Sequence, residues 1–232
     1  MSSIKKVPKK YQPKGYKILH EDVDLLVGSK SPGYLTVAAK FDKVNTIHNA
    51  LNQYVRKGNP RSRNCVFVVH RLDQATSGVL IFAKTESVQQ YLKNNWKSTV
   101  KTYYTIVHGK MKDKKGLIES YLTEDEDYVI HSSQKDNQGK LAQTEYEVLN
   151  ETDKYSLIKI NLLTGRKNQI RVHMADKGCP VVGDEKYGKK DNFRDLYLHS
   201  SSIEFTHPFK ARRMSFKADV PSYFKKLIEF DY

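Results

Sequence analysis

Short apolar segments separated by turn residues are the feature that most constrains the fold of this chain. Each segment is only a few residues long and is bounded by Gly, Asp, Asn or Ser, a pattern that is typical of β-strands. They occupy residues 16–19, 25–27, 34–38, 65–69, 79–83, 103–107, 146–149, 156–162 and the stretch from Tyr197 onward. The chain is therefore expected to build a β-sheet.

Helical patterns are fewer than strand patterns. We predict helices over residues 46–56, from Thr85 to Trp96, and over residues 166–177, the last of them capped by Thr164. Strands that alternate with a few helices predict an α+β protein.

The basic character of the chain limits the kinds of partner it can have. It carries 40 Lys and Arg against 26 Asp and Glu, a net charge of +14. Such an excess favours a polyanion, most commonly nucleic acid, although a basic protein without such a partner can have the same composition. Residues 1–14 are rich in Lys and Pro, and we predict a basic flexible arm there, followed by a single domain over residues 15–232 with no separate S4-type RNA-binding module. The polar segment 110–140 is expected to form surface excursions from the sheet.

Several function classes lack their sequence signatures. The two cysteines, Cys65 and Cys179, show no metal-ligand spacing, and we expect both to be small buried or half-buried residues. The histidines do not cluster and no Gly-rich nucleotide-binding pattern is present, so we expect neither a metal site nor a nucleotide cofactor. No apolar stretch approaches the roughly 18 residues that a membrane span needs. We therefore expect a cytoplasmic protein that does not bind a membrane.

Residues 65–84 combine two apolar segments with a polar turn that contains His70, Arg71 and Asp73. A short loop between buried strands holds its side chains rigidly, at a sheet edge that a substrate can reach. Local context alone leaves the role of Asp73 open, because an Asp in a turn more often caps its own backbone than performs catalysis.

The segment from His70 to Thr85, HRLDQATSGVLIFAKT, resembles the HRLD-x-x-TSG-x-L-x-x-AKT signature of RluA-type pseudouridine synthases. Further stretches are similar to the motifs of this family and follow in the same order, at residues 101–109, 139–146, 163–173, 178–188 and 198–208. The resemblance implies the fold of that family, a mixed, mostly antiparallel central sheet with flanking helices and a catalytic cleft.

Two single positions and one segment depart from the usual motifs of the family. Asn168 stands where the family usually has His, Ser200 stands in place of Ala, and residues 29–33 read SKSPG where NKPAG is common. Asn168 is close in sequence to a candidate catalytic arginine, so this change could alter helix packing or the choice of substrate.

The resemblance implies an isomerase that needs no cofactor. Making pseudouridine breaks the N1–C1′ bond of uridine, rotates the uracil and rejoins it through C5, so no atoms are gained or lost. Asp73 is the implied catalytic carboxylate, acting either as a nucleophile at C1′ or as a base at the 2′ position, and both routes stay open. Tyr103 is the implied active-site tyrosine, whose ring can stack on the detached uracil.

An arginine is expected to keep Asp73 ionised in a closed site. On a helix over residues 166–177, Arg166 and Arg171 would lie about 140° apart, so only one of them is expected to serve Asp73. The family pattern implies Arg171.

The remaining candidate residues concern RNA. A uridine inside folded RNA must leave its stack before an enzyme can reach it. His70 and Arg71 are suited to fill the vacated space or to brace the flipped strand. Arg166 is a candidate for the RNA backbone, and Lys101, which opens the motif at 101–109, is expected among the RNA-binding residues.

We expect the partner to be structured RNA, either rRNA or tRNA with a slight preference for large-subunit rRNA or tRNA, and the enzyme to be a monomer. A non-catalytic RNA-binding protein that keeps the fold is the main alternative, but such a protein would be free to lose Asp73, Tyr103 and Arg171. A glycoside-type hydrolase needs paired carboxylates, and Asp73 has no acidic partner in its own motif.

Overall fold

The computed structural model of the chain describes residues 12–39, 42, 44–57, 59, 61–136 and 138–229. Residues 1–11 of the predicted basic arm lie outside the described residues. The elements in chain order are β1 (Tyr16–Glu21), β2 (Leu25–Lys30), α1 (Ile47–Arg56), β3 (Phe67–Val68), β4 (Ser77–Ala83), α2 (Glu86–Asn94), β5 (Val100–His108), β6 (Lys115–Glu124), β7 (Ile130–Ser133), β8 (Lys140–Glu151), β9 (Tyr155–Leu162), α3 (Gln169–Asp176), β10 (Leu198–Thr206) and β11 (Arg213–Lys217).

The chain divides into two compact units, Met1–Thr99 with Glu204–Ala218, and Val100–Ile203 with Asp219–Tyr232. In the first unit β1, β2 and β4 lie side by side with antiparallel pairing, and β3 pairs with the other side of β4. Strand β4 is buried along its whole length, which fits the apolar run from Val79 to Ala83. The loop that joins β3 to β4, residues 69–76, contains the HRLD motif.

In the second unit the strands follow the order β5, β9, β8, β6, β7 with antiparallel pairing throughout. Ile106 of β5 belongs to a buried cluster with Leu157, Val182, Tyr197 and Phe224. A second cluster joins Val172 of α3 to apolar residues of β6, β7 and β8, namely Leu122, Ile130 and Ala142. These contacts hold α3, the helix that carries Arg171, against the sheet.

The predicted fold class is confirmed, because the protein has a mostly antiparallel sheet with a few helices. Two helix starts are also confirmed: α1 follows Thr46, whose hydroxyl accepts the Asn49 N–H at 3.0 Å, and α2 follows Thr85, which caps Val88. Trp96 was placed on the second helix, and this is wrong, because it lies in a 3₁₀ turn, Trp96–Ser98, that follows α2.

The prediction of a helix over residues 166–177 is wrong at its start. Helix α3 begins at Gln169, whose side-chain oxygen accepts hydrogen bonds from the Thr164 hydroxyl at 2.8 Å and the Arg166 N–H at 3.0 Å. These bonds hold the chain in a turn before the helix, so Thr164 is not its cap. Arg166 therefore lies outside the helix, and the angle expected between Arg166 and Arg171 does not apply.

One strand prediction and one loop prediction are also wrong. Residues 34–38 form no strand and make a single bridge, between Leu35 and Thr46, because the carbonyl oxygens of Leu35 and Thr36 accept N–H groups from the start of helix α1. The segment 110–140 contains the paired strands β6 and β7 rather than surface excursions alone. The alternation of β6 was hidden, because its buried face includes the polar Ser120 and its other face carries the apolar Leu117 and Tyr121.

Cys65 is half-buried and Cys179 is buried, as predicted. Among the residues that the structure describes, none of the helices has the length and hydropathy that a membrane crossing requires.

Candidate active site

The loop at residues 69–76 fixes the main chain on the N-terminal side of Asp73. The hydroxyl of Thr36 donates to the carbonyl oxygen of Leu72 at 2.8 Å and accepts its N–H at 3.1 Å. Both main-chain polar groups of Leu72 are therefore bound by one buried side chain, and the residue next to it is the half-buried Asp73.

The main chain on the C-terminal side of Asp73 is fixed as well. The carbonyl oxygen of Gln74 accepts hydrogen bonds from Lys30 Nζ and from the Gly33 N–H, both at 2.9 Å. The Gln74 side chain donates back to the Gly33 carbonyl at 3.0 Å. The Thr76 N–H donates to the carbonyl oxygen of Asp73 at 3.1 Å and closes a turn. Asp73 thus lies between anchored neighbours, as a precisely held catalytic group requires.

His70 and Arg71 have different surroundings, although they are adjacent. The Nε2 of His70 accepts the Ile81 N–H at 3.1 Å, so in this bond Nε2 is unprotonated, and the ring packs against Trp96 at 4.8 Å between centroids. The bond from Ile81 holds the loop against β4. The Arg71 side chain is exposed. Arg71 is therefore better suited than His70 to enter an RNA helix.

Sequence reasoning missed Lys30, the last residue of β2. Its side chain is 1% exposed, and its Nζ donates to the carbonyl oxygens of Ser31, Tyr34 and Gln74. Burial lowers the pKa of Lys30 to about 7, and the negative charge of Asp73 acts in the opposite direction. Its position in the SKSPG segment, which resembles a family motif, was the available signal.

In the second unit Arg171 is held by a buried carboxylate. Its Nε and Nη2 donate to the two carboxylate oxygens of Asp184 at 2.8 and 2.7 Å, a bidentate pair. The Asp184 side chain is 0% exposed and also accepts the N–H groups of Lys186 and Tyr187. The Arg171 guanidinium lies 5.2 Å from the centre of the Tyr187 ring. Asp184 was quoted only as part of a motif, and its role was not predicted.

Asn168 binds the same group of residues. Its Oδ1 accepts a hydrogen bond from Arg171 Nη1 at 3.2 Å, and its Nδ2 donates to the Tyr187 hydroxyl at 2.9 Å. Asn168 has a φ of 53°, in the left-handed region, which Asn tolerates better than most residues. The departure from the family pattern at this position therefore lies in direct contact with the proposed catalytic arginine.

Helix α3 is also bound to the sheet by a buried imidazole. His173 is 0% exposed, and its Nδ1 and Nε2 lie 2.8 Å from Thr144 Oγ1 and 3.0 Å from Ser120 Oγ. Burial lowers the pKa of His173 to about 4. The ring is therefore neutral at physiological pH and serves to hold the helix that carries Arg171.

The other predicted residues of the second unit differ in exposure. Tyr103 lies on β5 and is 7% exposed, while the neighbouring Tyr104 packs against the Ile106 cluster, as predicted. Lys101 is 5% exposed and burial lowers its pKa, so its assignment to RNA binding rests on the resemblance alone. Arg166 is exposed, and its Nε donates to the Leu141 carbonyl at 2.9 Å.

One group of side chains has the composition of a metal site, formed by Asp22, Asp24 and His207 of the first unit. The Phe209 N–H donates to Nδ1 of His207, so the ring proton is on Nε2, which faces the two carboxylates at 3.3 and 3.6 Å. Lys210 Nζ also reaches Asp22, at 3.2 Å. Protein donors thus occupy the atoms that a cation would need, and the group fits a hydrogen-bond network better than a metal centre.

Comparison with known proteins identifies the family. The family model for RNA pseudouridylate synthase matches residues 24–176, which include the HRLD loop and all of α3. The chain belongs to the RNA pseudouridylate synthase family. Its relatives include RluA-type enzymes, and it is accordingly an isomerase that acts on RNA.

Two of these relatives illustrate the extent of the match. The chain is 34% identical to ribosomal large subunit pseudouridine synthase D of Borreliella burgdorferi over 92% of its own length and 67% of that protein. It is 32% identical to the dual-specificity RNA pseudouridine synthase RluA of Escherichia coli O157:H7, over 87% of this chain and 91% of that protein. The solved structure of human RNA pseudouridylate synthase domain containing 4 has the same fold, with a TM-score of 0.76 at 21% identity over 93% of this chain and 92% of that one.

Proposed function

We propose that the enzyme isomerises a specific uridine in rRNA or tRNA, with Asp73 as its catalytic carboxylate and with Tyr103 and Arg171 as its catalytic partners. The observation that carries the proposal is the loop around Asp73, whose neighbours Leu72 and Gln74 are both bound through their main chains. This chemistry requires one carboxylate held in a fixed position. Asp73 lies on such a loop, within the segment that the family model matches.

A single ionised carboxylate is sufficient for either route. As a nucleophile, Asp73 attacks C1′ while the N1–C1′ bond breaks, and the ester is resolved when C5 of the rotated uracil attacks C1′. As a base, it removes the proton at C2′ as the uracil leaves and returns it when the C5–C1′ bond forms. In both routes the proton on C5 is then lost, N1 gains one, and the overall composition is unchanged.

Arg171 is proposed to keep the carboxylate of Asp73 ionised during the reaction. Its bidentate pair with the buried Asp184 and its bond to Asn168 support this role, because they fix the guanidinium plane before substrate binds. Tyr103 is proposed to stack on the detached uracil, so that the base can turn without leaving the site.

Arg71 is the residue we propose to take the place of the extruded uridine. It is exposed and is two residues from Asp73, whereas His70 is bound to β4. Arginine can stack on bases and bind phosphate with the same group. Arg166 is exposed and is proposed to contact the RNA backbone.

The class of RNA is supported by the relatives and by charge. The Borreliella relative is named for the large ribosomal subunit and the Escherichia coli relative for dual specificity. The net charge of +14 favours binding to a large polyanion such as rRNA or tRNA. We propose a monomer that acts in the cytoplasm.

The test is a pseudouridine map of total RNA from cells that lack the gene, incubated with purified protein. Carbodiimide-dependent reverse-transcription stops are compared between wild type and Asp73→Asn, which keeps the size of the side chain. Stops with wild type alone are expected, and they name the substrate. Tight RNA binding without stops on any RNA would instead indicate a non-catalytic binder. Stops with Asp73→Asn equal to wild type would remove Asp73 from the chemistry.

A further inference from the structure

A groove of the first unit runs along helix α1. The helix lines it with a stripe of polar residues at a spacing of four and then three positions, and the segment 12–14 and Tyr34 contribute further lining. The volume of the groove is about 690 Å³, within the range of roughly 300 to 1,000 Å³ that small-molecule sites have, so a nucleotide can enter it. We call it the α1 groove, and the lining residues that matter below are Lys14, Tyr34, Asn45, Asn49, Gln53 and Arg56.

The α1 groove lies beside the loop that carries Asp73. Tyr34 follows Gly33, whose N–H donates to the carbonyl oxygen of Gln74 at 2.9 Å, and Gln74 follows Asp73. The Tyr34 ring packs on the main chain of Gly15, where a Cβ atom would come within 2.5 Å of the ring. A nucleotide next to a uridine held at Asp73 is therefore close to an aromatic ring whose position is fixed.

The charge of the α1 groove favours an anion. The sequence has no acidic residue between Asp42 and Asp73, although 26 occur among the 232 residues of the chain. Lys14 and Arg56 line the groove and are exposed. The Nε of Arg56 donates to the Asn64 carbonyl at 3.2 Å, which holds the guanidinium near the end of the helix. Both cations are available to the phosphates of a bound strand.

Two carboxylates contact residues of the groove, and protein donors bind both. Asp42 Oδ1 accepts two main-chain N–H groups, among them that of Asn45 at 2.9 Å. Glu21 accepts the Tyr54 hydroxyl at 2.7 Å and binds Lys84 at 2.6 Å. These bonds reduce the repulsion that the two carboxylates exert on a phosphate.

The amide side chains of the groove favour unpaired RNA over a duplex. Asn45, Asn49 and Gln53 carry amides that can donate to a base edge and accept from it, and Asn49 is oriented by its bond to the Val44 carbonyl at 2.9 Å. In an A-form duplex the major groove is too deep and narrow for side chains to read the bases. Unpaired bases expose their edges and can also stack on an aromatic ring such as that of Tyr34.

We propose that the α1 groove binds an unpaired stretch of the substrate RNA next to the target uridine. Tyr34 stacks on a base, Asn49 and Gln53 bind base edges, and Lys14 and Arg56 bind phosphates. The inference rests on the proposed function, which places the target uridine at Asp73. It gives helix α1 a part in the choice of target, because the groove adds affinity only where the neighbouring nucleotides are unpaired.

The first test uses Gln53→Glu, with Gln90→Glu as the matched control. Gln90 is exposed on α2 of the same unit, so the control makes the same change of charge away from the groove. Binding is measured by fluorescence anisotropy with a random-sequence single strand of about twelve nucleotides and with a duplex of the same length. Gln53→Glu is expected to raise the Kd for the single strand about fivefold or more and that for the duplex by no more than about twofold, whereas Gln90→Glu changes neither by more than about twofold.

Other outcomes of this test overturn the inference. Equal weakening of single strand and duplex by Gln53→Glu would show a general effect of charge, and unchanged binding of both would show that the groove holds no RNA. Glu is a good helix former and both positions are exposed, so both variants are expected to fold.

The second test needs no variant. Random-sequence single strands that contain 4-thiouridine are cross-linked to the wild-type protein by near-ultraviolet light, and the modified peptides are identified by mass spectrometry. We expect cross-links at Tyr34 or within residues 45–56, removed by unlabelled single strand and not by duplex. Cross-links confined to other segments overturn the inference.

With the RNA that the pseudouridine map identifies, the nucleotide cross-linked to the α1 groove should flank the target uridine. A nucleotide remote from the target would overturn the inference as well. The proposed function fails separately, if Asp73→Asn retains wild-type turnover. Binding and cross-linking do not depend on turnover, so they still report whether the α1 groove holds unpaired RNA.

Discussion

The carboxylate of Asp184 binds the Arg171 guanidinium side-on, accepting hydrogen bonds from Nε at 2.8 Å and from Nη2 at 2.7 Å. The carboxylate is entirely buried, so its charge must be balanced within the protein. The arginine proposed to serve the reaction is consequently fixed before any RNA binds, and the predictions for Asp184 and Asn168 depend on this pair.

Asp184→Asn is expected to lower both stability and turnover. The amide offers one acceptor where the carboxylate offered two, and Arg171 loses its balancing charge. We expect the free energy of unfolding in urea to fall by about 3 kcal/mol and kcat to fall about tenfold or more. Asp153→Asn, at a fully exposed carboxylate, is the control and should leave both unchanged. Full turnover in a destabilised Asp184→Asn protein would separate Arg171 from the chemistry.

Two substitutions of Asn168 separate the effect of its backbone conformation on stability from the effect of its side-chain hydrogen bonds. Asn168→Ala loses both side-chain bonds and is strained at a φ of 53°, whereas Asn168→Gly loses the bonds without the strain. We expect the Ala variant to be less stable than the Gly variant by about 1 kcal/mol, and both to lose turnover to a similar degree. Equal stabilities in thermal unfolding would contradict the assigned backbone conformation.

His173 predicts a pH dependence of stability. Burial lowers its pKa from 6.5 to about 4, so between these values the unfolded chain binds a proton that the folded chain does not. The free energy of unfolding therefore falls as pH falls from 6.5 toward 4, by up to about 3 kcal/mol from this group. His173→Gln should reduce the change in the free energy of unfolding between pH 6.5 and pH 4, as measured by urea unfolding at several pH values. Parallel curves for the two proteins would show that His173 is not the cause.

Thr76 has a buried hydroxyl with no hydrogen-bond partner among the described residues. Such a group loses its hydration without compensation, so Thr76→Val, which has nearly the same shape, is expected to raise the free energy of unfolding by about 1 kcal/mol. Thr76→Ser, which keeps the hydroxyl and loses a methyl group, is the opposing control and should be less stable than wild type. A destabilised Val variant would reveal that the hydroxyl has a partner.

Arg71→Ala is expected to impair turnover on a base-paired target more than on an unstructured oligonucleotide of the same sequence. The reason is that a stacked uridine must be extruded, and Arg71 is proposed to occupy the space it leaves. Single-turnover rates on the two RNAs give the comparison, with the exposed Arg63→Ala as the control. Equal losses on both RNAs would assign Arg71 to general RNA binding.

The strand pattern of the sequence was sufficient for the class of the fold and for the loop around Asp73, because apolar runs such as those before and after His70 report burial directly. Strand β6 was missed because polar Ser120 occupies a buried position in its pattern, and β7 was missed because three of its four residues are polar. The start of α3 was missed because Gln169 binds the turn before it with its side chain, a contact that no periodicity reveals.

The roles of Lys30 and Asp184 could not be predicted from composition. A lysine at the end of a strand usually lies in solvent, and the burial of Lys30 depends on carbonyl groups from two loops that only folding brings together. Asp184 follows Arg171 by thirteen residues, a separation that does not indicate contact. Family motifs named these segments without stating what each residue does.

The two-sided binding of Leu72 by Thr36 has a consequence for how the enzyme and RNA adapt to each other. The main-chain hydrogen bonds of this loop already restrict its conformation. The entropy of ordering the loop is therefore lost during folding and not when RNA binds. The adjustment must then come from the nucleic acid. Among RNAs of equal affinity, those in which the target uridine already spends time unstacked should be modified fastest, and the local breathing of the RNA becomes part of the specificity of the enzyme.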